Sequence, residues 1–334
     1  VFTAIMMSCQ LLCFCCFEWS MLALGPFLLA PVLLLVSWAI YWVLTVLVPR
    51  ISPLGTASWW AHVAWIYFLS FNGLFNYFSC VLTDPGTHLS PLYRALVLVA
   101  DVDGALAPSD VATGLTRESL SHTRALTASW LERGPYEWGY CKQSRGPKAP
   151  RSHYDHVTRK LVLNMDHYCP WMFNCVGFAN YRYFVLFLFY VTVACGYGAA
   201  LTFPDFSTVA GLRSFAAFRG PRPTSRAHTA VMFTFVLSIS VGIAVMLLFS
   251  WHLYLVLTAQ TTIEFYGNCT LRRRARVRGH DFRNPYHRSY STNWQHLFGT
   301  MRPIIALLPS SRPPPGRPWP GFQLRPVMES EIEV

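Results

Sequence analysis

Residues Tyr183–Phe203 read YFVLFLFYVTVACGYGAALTF, twenty-one positions without an Asp, Glu, Lys or Arg. A helix rises 1.5 Å per residue and about 20 apolar residues cross a bilayer, so this stretch has the length of a membrane span. Three others share the pattern: Met21–Val48, Ala57–Leu82 and Val231–Leu257. One charge at the centre of such a helix costs roughly 2.5–3.5 kcal/mol on the insertion scale, so four charge-free lengths are not accidental. Trp59, Trp60, Tyr181, Tyr183 and Trp251 stand near the ends, where interfacial aromatics anchor spans. Composition agrees, with 53% hydrophobic and 13% charged residues among 334. Soluble domains carry about 25% charged residues, and disorder needs low hydrophobicity, so both classes are excluded. The expected fold is an all-α polytopic membrane protein with four transmembrane helices.

The flanks fix the expected orientation. The segment 83–180 holds ten Lys and Arg and the tail 258–334 holds eleven, against one in 49–56 and four in 204–228. The positive-inside rule places both long segments and both termini in the cytosol. There Cys141, Cys169, Cys175 and Cys269 are thiols or ligands rather than disulfides. Residues 1–20 form an apolar lead-in without a basic n-region, so a signal peptide fits poorly. The expected organisation continues with helices one and two over 21–82, a cytosolic loop over 83–180, helices three and four over 181–257, and a cytosolic C-terminal region over 258–334. Leu92–Leu131 shows no clear periodicity and reads as an insertion. Pro303–Pro326 is Pro-rich and reads as an extended linker.

The densest chemistry lies just before the third helix: Asn164-Met165-Asp166-His167-Tyr168-Cys169-Pro170-Trp171, then Asn174-Cys175-Val176-Gly177 and Asn180-Tyr181-Arg182-Tyr183-Phe184. A thiolate is the reactive form of cysteine, a histidine takes its proton, and a carboxylate orients the imidazole. Taken bare, the cluster serves equally as a structural cysteine or a His/Cys metal pair.

The surrounding residues resemble the DHHC family of protein S-acyltransferases (palmitoyltransferases). Asp84-Pro85-Gly86 follows the second helix, Thr261-Thr262-Ile263-Glu264 follows the fourth as the family's Thr-Thr-x-Glu, and Asn284-Pro285-Tyr286 with Asn293 and Phe298-Gly299 resembles its C-terminal motif. The resemblance implies a cysteine-rich-type catalytic domain at about 138–180, between helices two and three. It implies transfer of a palmitoyl or similar chain from acyl-CoA to Cys169, then to a cysteine of a protein substrate. His167 would be the base and Asp166 its orienter, with Thr261, Thr262, Glu264 and Asn293 supporting. An endomembrane setting, Golgi or ER, follows by the same resemblance.

A sixteen-carbon tail gains on the order of 10 kcal/mol by leaving water, which suits a membrane enzyme with the thiol at its surface. Ala194, Gly196 and Gly198 on the third helix leave room for that tail, or equally let helices pack closely. Two departures stand out. Tyr168 replaces the third residue of Asp-His-His-Cys. The family's two zinc ions each take three Cys and one His, and by spacing those positions are Cys141, Ser144, Tyr154 and Leu161, then Asp155, Thr158, Tyr168 and Cys175. Only Cys141 and Cys175 survive, so no zinc and no other cofactor is expected. An improvised set of Cys141, His153, His156 and Asp155 matches no common spacing.

Arg272-Arg273-Arg274-Ala275-Arg276-Val277-Arg278 is a topology signal or a contact for CoA phosphates or anionic lipid. Nucleic acid is not an expected partner, and the absence of acidic or basic residues in the spans argues against a transporter. Cys9, Cys13, Cys15 and Cys16 are acylation candidates or plain apolar residues. Asn268-Cys269-Thr270 is a sequon that the topology leaves unmodified. The alternative to an enzyme is a catalytically inactive DHHC-like membrane adaptor or chaperone.

Overall fold

The computed structural model describes residues 30–100, 138–211 and 225–312. The lead-in with its four cysteines, most of the expected insertion and the end of the Pro-rich tail lie outside the described residues. Four long helices form the body: α1 (Ala30–Ile51), α2 (Ala57–Leu82), α4 (Tyr181–Val209) and α5 (Ser225–Leu257), with a short α3 (Pro91–Ala100) after the second. Within α1 the register widens to a π-helical turn over Val43–Leu47. Pro49 lies just beyond, and its ring cannot return an N–H to residue 45. At the start of α2 the Thr56 hydroxyl accepts the N–H of Trp59 at 3.2 Å, the usual end-cap for donors without an intrahelical partner.

Helix α4 packs along both α2 and α5. A Cβ placed at Gly198 would stand 2.9 Å from Ser238 Oγ, and one at Gly242 would stand 3.0 Å from Cys195 Cβ. Small residues therefore bring α4 and α5 together. The outer face of α2 presents Trp60, Trp65, Tyr67 and Phe71, an apolar surface that suits lipid. Arg50 at the end of α1 pairs with Asp205 near the end of α4 at 2.8 Å, so those two ends lie together.

Among the described residues three helices, Ala30–Ile51, Tyr181–Thr208 and Thr229–Leu257, are long and apolar enough to cross a membrane, and the fourth expected span, α2, is not among them. Helix α2 has the length, 26 residues, but His62, Asn72, Asn76 and several indoles dilute its hydropathy. Nor is the chain all-α. Between α3 and α4 run six three-residue strands in three antiparallel hairpins: β1 (Gly139–Cys141) with β2 (Gly146–Lys148), β3 (His153–Asp155) with β4 (Lys160–Val162), and β5 (His167–Cys169) with β6 (Asn174–Val176). The C-terminal region adds α6 (Thr262–Val277), α7 (Tyr290–Phe298) and α8 (Pro303–Leu307). The molecule is mostly helical, with a small hairpin domain at the bundle end where α2 and α5 finish and α4 begins.

Candidate active site

The β5–β6 hairpin carries the cysteine, with His167 opposite Val176, Tyr168 opposite Cys175 and Cys169 opposite Asn174. Its tip is a tight turn, Pro170–Met172, closed by Phe173 in the left-handed region at φ 47°. Asn174 fastens this hairpin to the bundle. Its side-chain amide reaches the carbonyls of Cys80 at 3.0 Å, Val81 at 3.1 Å and Thr83 at 2.9 Å. These belong to the last turn of α2 and the residue beyond it, and terminal carbonyls lack intrahelical donors. Asn180, fully buried, donates to Cys80 O at 3.2 Å and Cys175 O at 2.9 Å, and accepts the Gly177 N–H at 2.8 Å. A Cβ at Gly177 would meet Val162 Cγ1 at 2.7 Å and the carbonyls of Leu163 and Pro85 at 2.9 Å, so only glycine fits there. Tyr77 of α2 donates to the carbonyl of Trp171 at 2.9 Å.

Cys169 is buried and shares strand β5 with His167, two residues away, so the two side chains lie on one face of the strand. The His167 ring donates from Nδ1 to Asp166 Oδ2 at 2.7 Å, which leaves Nε2 for the sulfur. Asp166 is 2% exposed and also accepts the Thr262 N–H on Oδ1 at 2.8 Å and the Thr262 hydroxyl on Oδ2 at 3.0 Å. Burial opposes charge on this carboxyl. The His167 hydrogen bond and charge, the nearby His252 and the Thr262 N–H outweigh burial and hold it below the ordinary carboxylate value. Burial likewise opposes protonation of His167, but hydrogen bonds and charge from Asp166 and Cys169 push it up to about 9. The trio is therefore built to keep a proton on the imidazole beside the sulfur.

Thr261 caps α6 and Glu264 completes a capping box, the hydroxyl accepting the Glu264 N–H at 3.2 Å and the carboxylate accepting the Thr261 N–H at 2.9 Å. Both Glu264 oxygens also take Arg151 at 2.6 Å, a bidentate buried pair. Arg151 lies over the Tyr286 ring at 4.1 Å and donates to Ala259 O at 3.1 Å. The Thr261–Glu264 motif thus does three jobs: Thr261 caps, Thr262 clamps Asp166, and Glu264 ties the hairpin domain, through Arg151, to the start of α6. Asn293 donates to Leu257 O at 2.7 Å and Asn284 to Thr258 O at 2.8 Å, so both cap α5 and neither bonds the trio.

A family model described as DHHC palmitoyltransferase matches residues 135–268, which include Asp166, His167, Cys169 and the Thr261–Glu264 motif. The chain is 31% identical over 241 residues to Probable protein S-acyltransferase 13 of Arabidopsis thaliana, covering 71% of this chain and 68% of that protein.

The chain belongs to the DHHC palmitoyltransferase family.

Other relatives agree. Palmitoyltransferase PFA3 of Yarrowia lipolytica is 30% identical over 78% of this chain and 64% of its own length. Palmitoyltransferase ZDHHC16A of Danio rerio is 28% identical over 53% of this chain and 57% of its own length. The chain therefore spans a little over half to about two thirds of the length of these relatives.

The zinc positions of this DHHC chain do not offer two four-donor sites. Around the first, Cys141 and Leu161 sit in an apolar cluster with Leu163, Ala149, Tyr93 and Val97, and Tyr154 pairs with Leu161 across β3–β4. Leu161 has no donor atom, and one thiol remains. Around the second, Asp155 already accepts the N–H groups of Val157 and Thr158 and the Thr158 hydroxyl, while Cys175 donates to His167 O at 3.4 Å. Burial raises the Cys175 thiol, which disfavours the thiolate that zinc needs. Among the described residues only Asp166, His167 and His252 bring three His, Cys, Asp or Glu donor atoms within 4.8 Å, so Cys141, His153, Asp155 and His156 do not form a set.

The three small residues expected to line an acyl cavity part company. Gly198 faces Ser238 of α5, whereas Ala194 and Gly196 lie exposed on the outside of α4. Gly196, two residues from Gly198, points to a different side of the helix, and Ala194, one turn from Gly198 on the same face, is exposed where Gly198 is buried. Sequence reading missed Arg151 and His252. Arg151 lies 113 residues from its partner. His252 stands in a span without Asp, Glu, Lys or Arg, and its signal in the sequence is that of a titratable residue at membrane depth.

Proposed function

We propose that this DHHC chain is a protein S-acyltransferase. It moves a long fatty acyl group from acyl-CoA to the cysteine of a protein substrate through a thioester on Cys169. The observation that carries this reading is the Asp166–His167–Cys169 relay, with the imidazole bonded at 2.7 Å to a carboxylate that Thr262 holds from two sides.

In the first half-reaction Cys169 gives its proton to His167 and its sulfur attacks the acyl-CoA carbonyl. The new sulfur–carbon bond forms as the CoA sulfur leaves, taking the proton from the imidazolium. In the second, a substrate thiol gives its proton to His167 and attacks the same carbonyl carbon, releasing Cys169, which recovers a proton. Two thioester exchanges replace one transfer, and the proton is never shed into the site. Asp166 keeps the ring in the tautomer that presents Nε2 to the sulfur.

In the membrane reading all four long helices span, α2 included, its aromatics facing lipid. The hairpin domain and both termini lie in the cytosol of an endomembrane, Golgi or ER. The clustering of the α1 and α4 ends away from the Lys- and Arg-rich segments supports that arrangement. The hairpin domain folds without zinc, its lobes held by apolar packing and by the Asp155 and Asn174 hydrogen bonds.

The test is acyl labelling of the full chain with an alkyne palmitoyl-CoA analogue. A hydroxylamine-sensitive adduct that disappears in Cys169→Ser is the expected result. No adduct on folded wild-type protein would replace this reading by the membrane adaptor.

A further inference from the structure

A histidine inside an apolar span is costly unless it has partners, and such a residue asks for a function. His252 is 2% exposed, in the last turns of α5. Its Nδ1 lies 3.0 Å from the hydroxyl of Tyr181 at the start of α4 and 4.0 Å from Asp166 Oδ2. Its ring stands edge-on to Phe184 with centroids 4.9 Å apart, and lies 5.7 Å from the His167 ring, which also meets the Phe184 ring at 5.1 Å. Two histidines, two aromatics and a carboxylate thus enclose one side of the relay, drawn from α4, α5 and β5.

Resting on the acyltransferase reading, we propose that His252, seated by Tyr181, is a positioning residue for the Asp166–His167 pair.

The argument begins with the carboxylate. Asp166 receives three hydrogen bonds, two from Thr262 and one from His167. Oδ2 takes two of them, from His167 Nδ1 and the Thr262 hydroxyl, which fills its two lone pairs. Nδ1 of His252 therefore acts on Oδ2 from 4.0 Å as a dipole and not as a further hydrogen bond: with its hydrogen there, shared with the Tyr181 oxygen, the dipole points favourably toward the charge. The opposite tautomer would set a lone pair against an anion in a dry site, where such repulsion is strong. Tyr181 and His252 therefore fix each other's orientation, and His252 in turn completes the polar surroundings of Asp166 while its ring and Phe184 stop the His167 imidazole from swinging away from Cys169. The charged and titratable groups around the pair are Asp166 and His167 beside His252, with Glu264 and Arg151 acting on Tyr181 as well.

The substitutions that test this separate hydrogen bonding from bulk. His252→Asn keeps a donor where Nδ1–H lies, His252→Phe keeps the ring without it, and Tyr181→Phe removes only the hydroxyl. Two readouts are used on the full chain in detergent. The first is the pH profile of Cys169 alkylation by iodoacetamide, followed on its own peptide by mass spectrometry, which needs no acyl-CoA. The second is the single-turnover rate of acyl-enzyme formation at saturating palmitoyl-CoA. Loss of one buried hydrogen bond, about 1 kcal/mol, corresponds to roughly fivefold in rate, and loss of ring alignment adds to it, so His252→Phe should slow acylation by about tenfold. His252→Phe should also move the alkylation profile away from that of the wild type, with Tyr181→Phe intermediate and His252→Asn close to wild type. An unchanged alkylation profile in His252→Phe overturns the proposal. So does His252→Asn failing as badly as His252→Phe, which would make the site one of packing alone. Should wild type alkylate as expected and respond to His252→Phe, yet form no acyl-enzyme, the positioning role stands and the acyltransferase reading falls.

Discussion

The β5–β6 hairpin and the two hairpins before it have the same size and the same strand geometry, yet they are held in opposite ways. Around β5–β6 three side chains spend their polar atoms on directed bonds: Asn174 on α2, Asn180 on two carbonyls, Asp166 on Thr262 and His167. Around β1–β4 the space near Cys141 is filled with hydrocarbon, and α3 completes it by laying Tyr93 and Val97 on Leu161 and Leu163. The Tyr93 hydroxyl donates to Pro147 O at 2.7 Å and accepts the Ala149 N–H at 3.0 Å, stitching α3 to both sides of β2. A site that moves protons needs directed donors, whereas a site that only holds shape can exchange them for packing. On the function proposed above, the difference separates the half that bears the chemistry from the half that holds shape.

Replacing Asp166 with Asn tests that division most severely. An amide cannot hold the imidazolium, and it can favour the wrong tautomer, so acyl-enzyme formation per folded molecule should fall by about 10²–10⁴, alongside some loss of stability from the broken pair. Burst kinetics with palmitoyl-CoA read the first effect and a thermal scan the second. A variant that unfolds while the surviving molecules acylate normally would reverse the roles of the two regions.

Leu161→Ala probes the other half. The side chain is fully buried, and truncating such a leucine costs about 2–5 kcal/mol with the cavity left behind. Here the thermal midpoint should drop and the acylation rate per folded molecule should hold. A rate loss without a stability loss would mean that the lobe takes part in the reaction.

How much of this was open to reading from residues differs between the same two regions. Charge-free length pointed to four long helices, and ordered motifs pointed to Asp166, His167 and Cys169, which lie together in sequence and in the fold. The strands were not legible, because three residues are too few to show a period of two. Helix α3 was overlooked although Leu92, Tyr93, Leu96 and Val97 repeat at three and four residues, because the polar stretch after them masked the pattern. The distinct tasks of Thr261 and Thr262 depend on where α6 meets β5, a contact 96 residues apart in the chain. His252 and Tyr181 likewise meet across 71 residues.

Thr262→Val sharpens the comparison inside one motif. It removes the hydroxyl bond to Asp166 and keeps the backbone one, so acylation should slow by roughly fivefold, about 1 kcal/mol. Thr261→Val instead removes a cap and should cost about 1 kcal/mol of stability with a near-normal rate. Equal behaviour of the two variants in a paired rate and melting experiment would erase the distinction between them.

The pH profile draws the finest line. His167 binds its proton more tightly when folded, its value rising from 6.5 to about 9. Its contribution to stability is therefore complete below pH 6.5 and is lost as pH rises through about 9. Asp166 moves the other way, so its contribution is present above its ordinary value of 3.8 and is lost as pH falls through the lower folded one. The imidazolium that protonates the departing CoA sulfur should persist to about pH 9, where the alkaline limb of acyl-enzyme formation belongs. With Asp166→Asn the opposing effect of burial is no longer outweighed by that carboxylate, and the limb should move to lower pH. Because Leu161 touches neither proton, Leu161→Ala should leave the limb in place even as it lowers the melting temperature. A limb that follows Leu161 rather than Asp166 would show that packing in the first lobe, not the carboxylate, sets the proton affinity of the site.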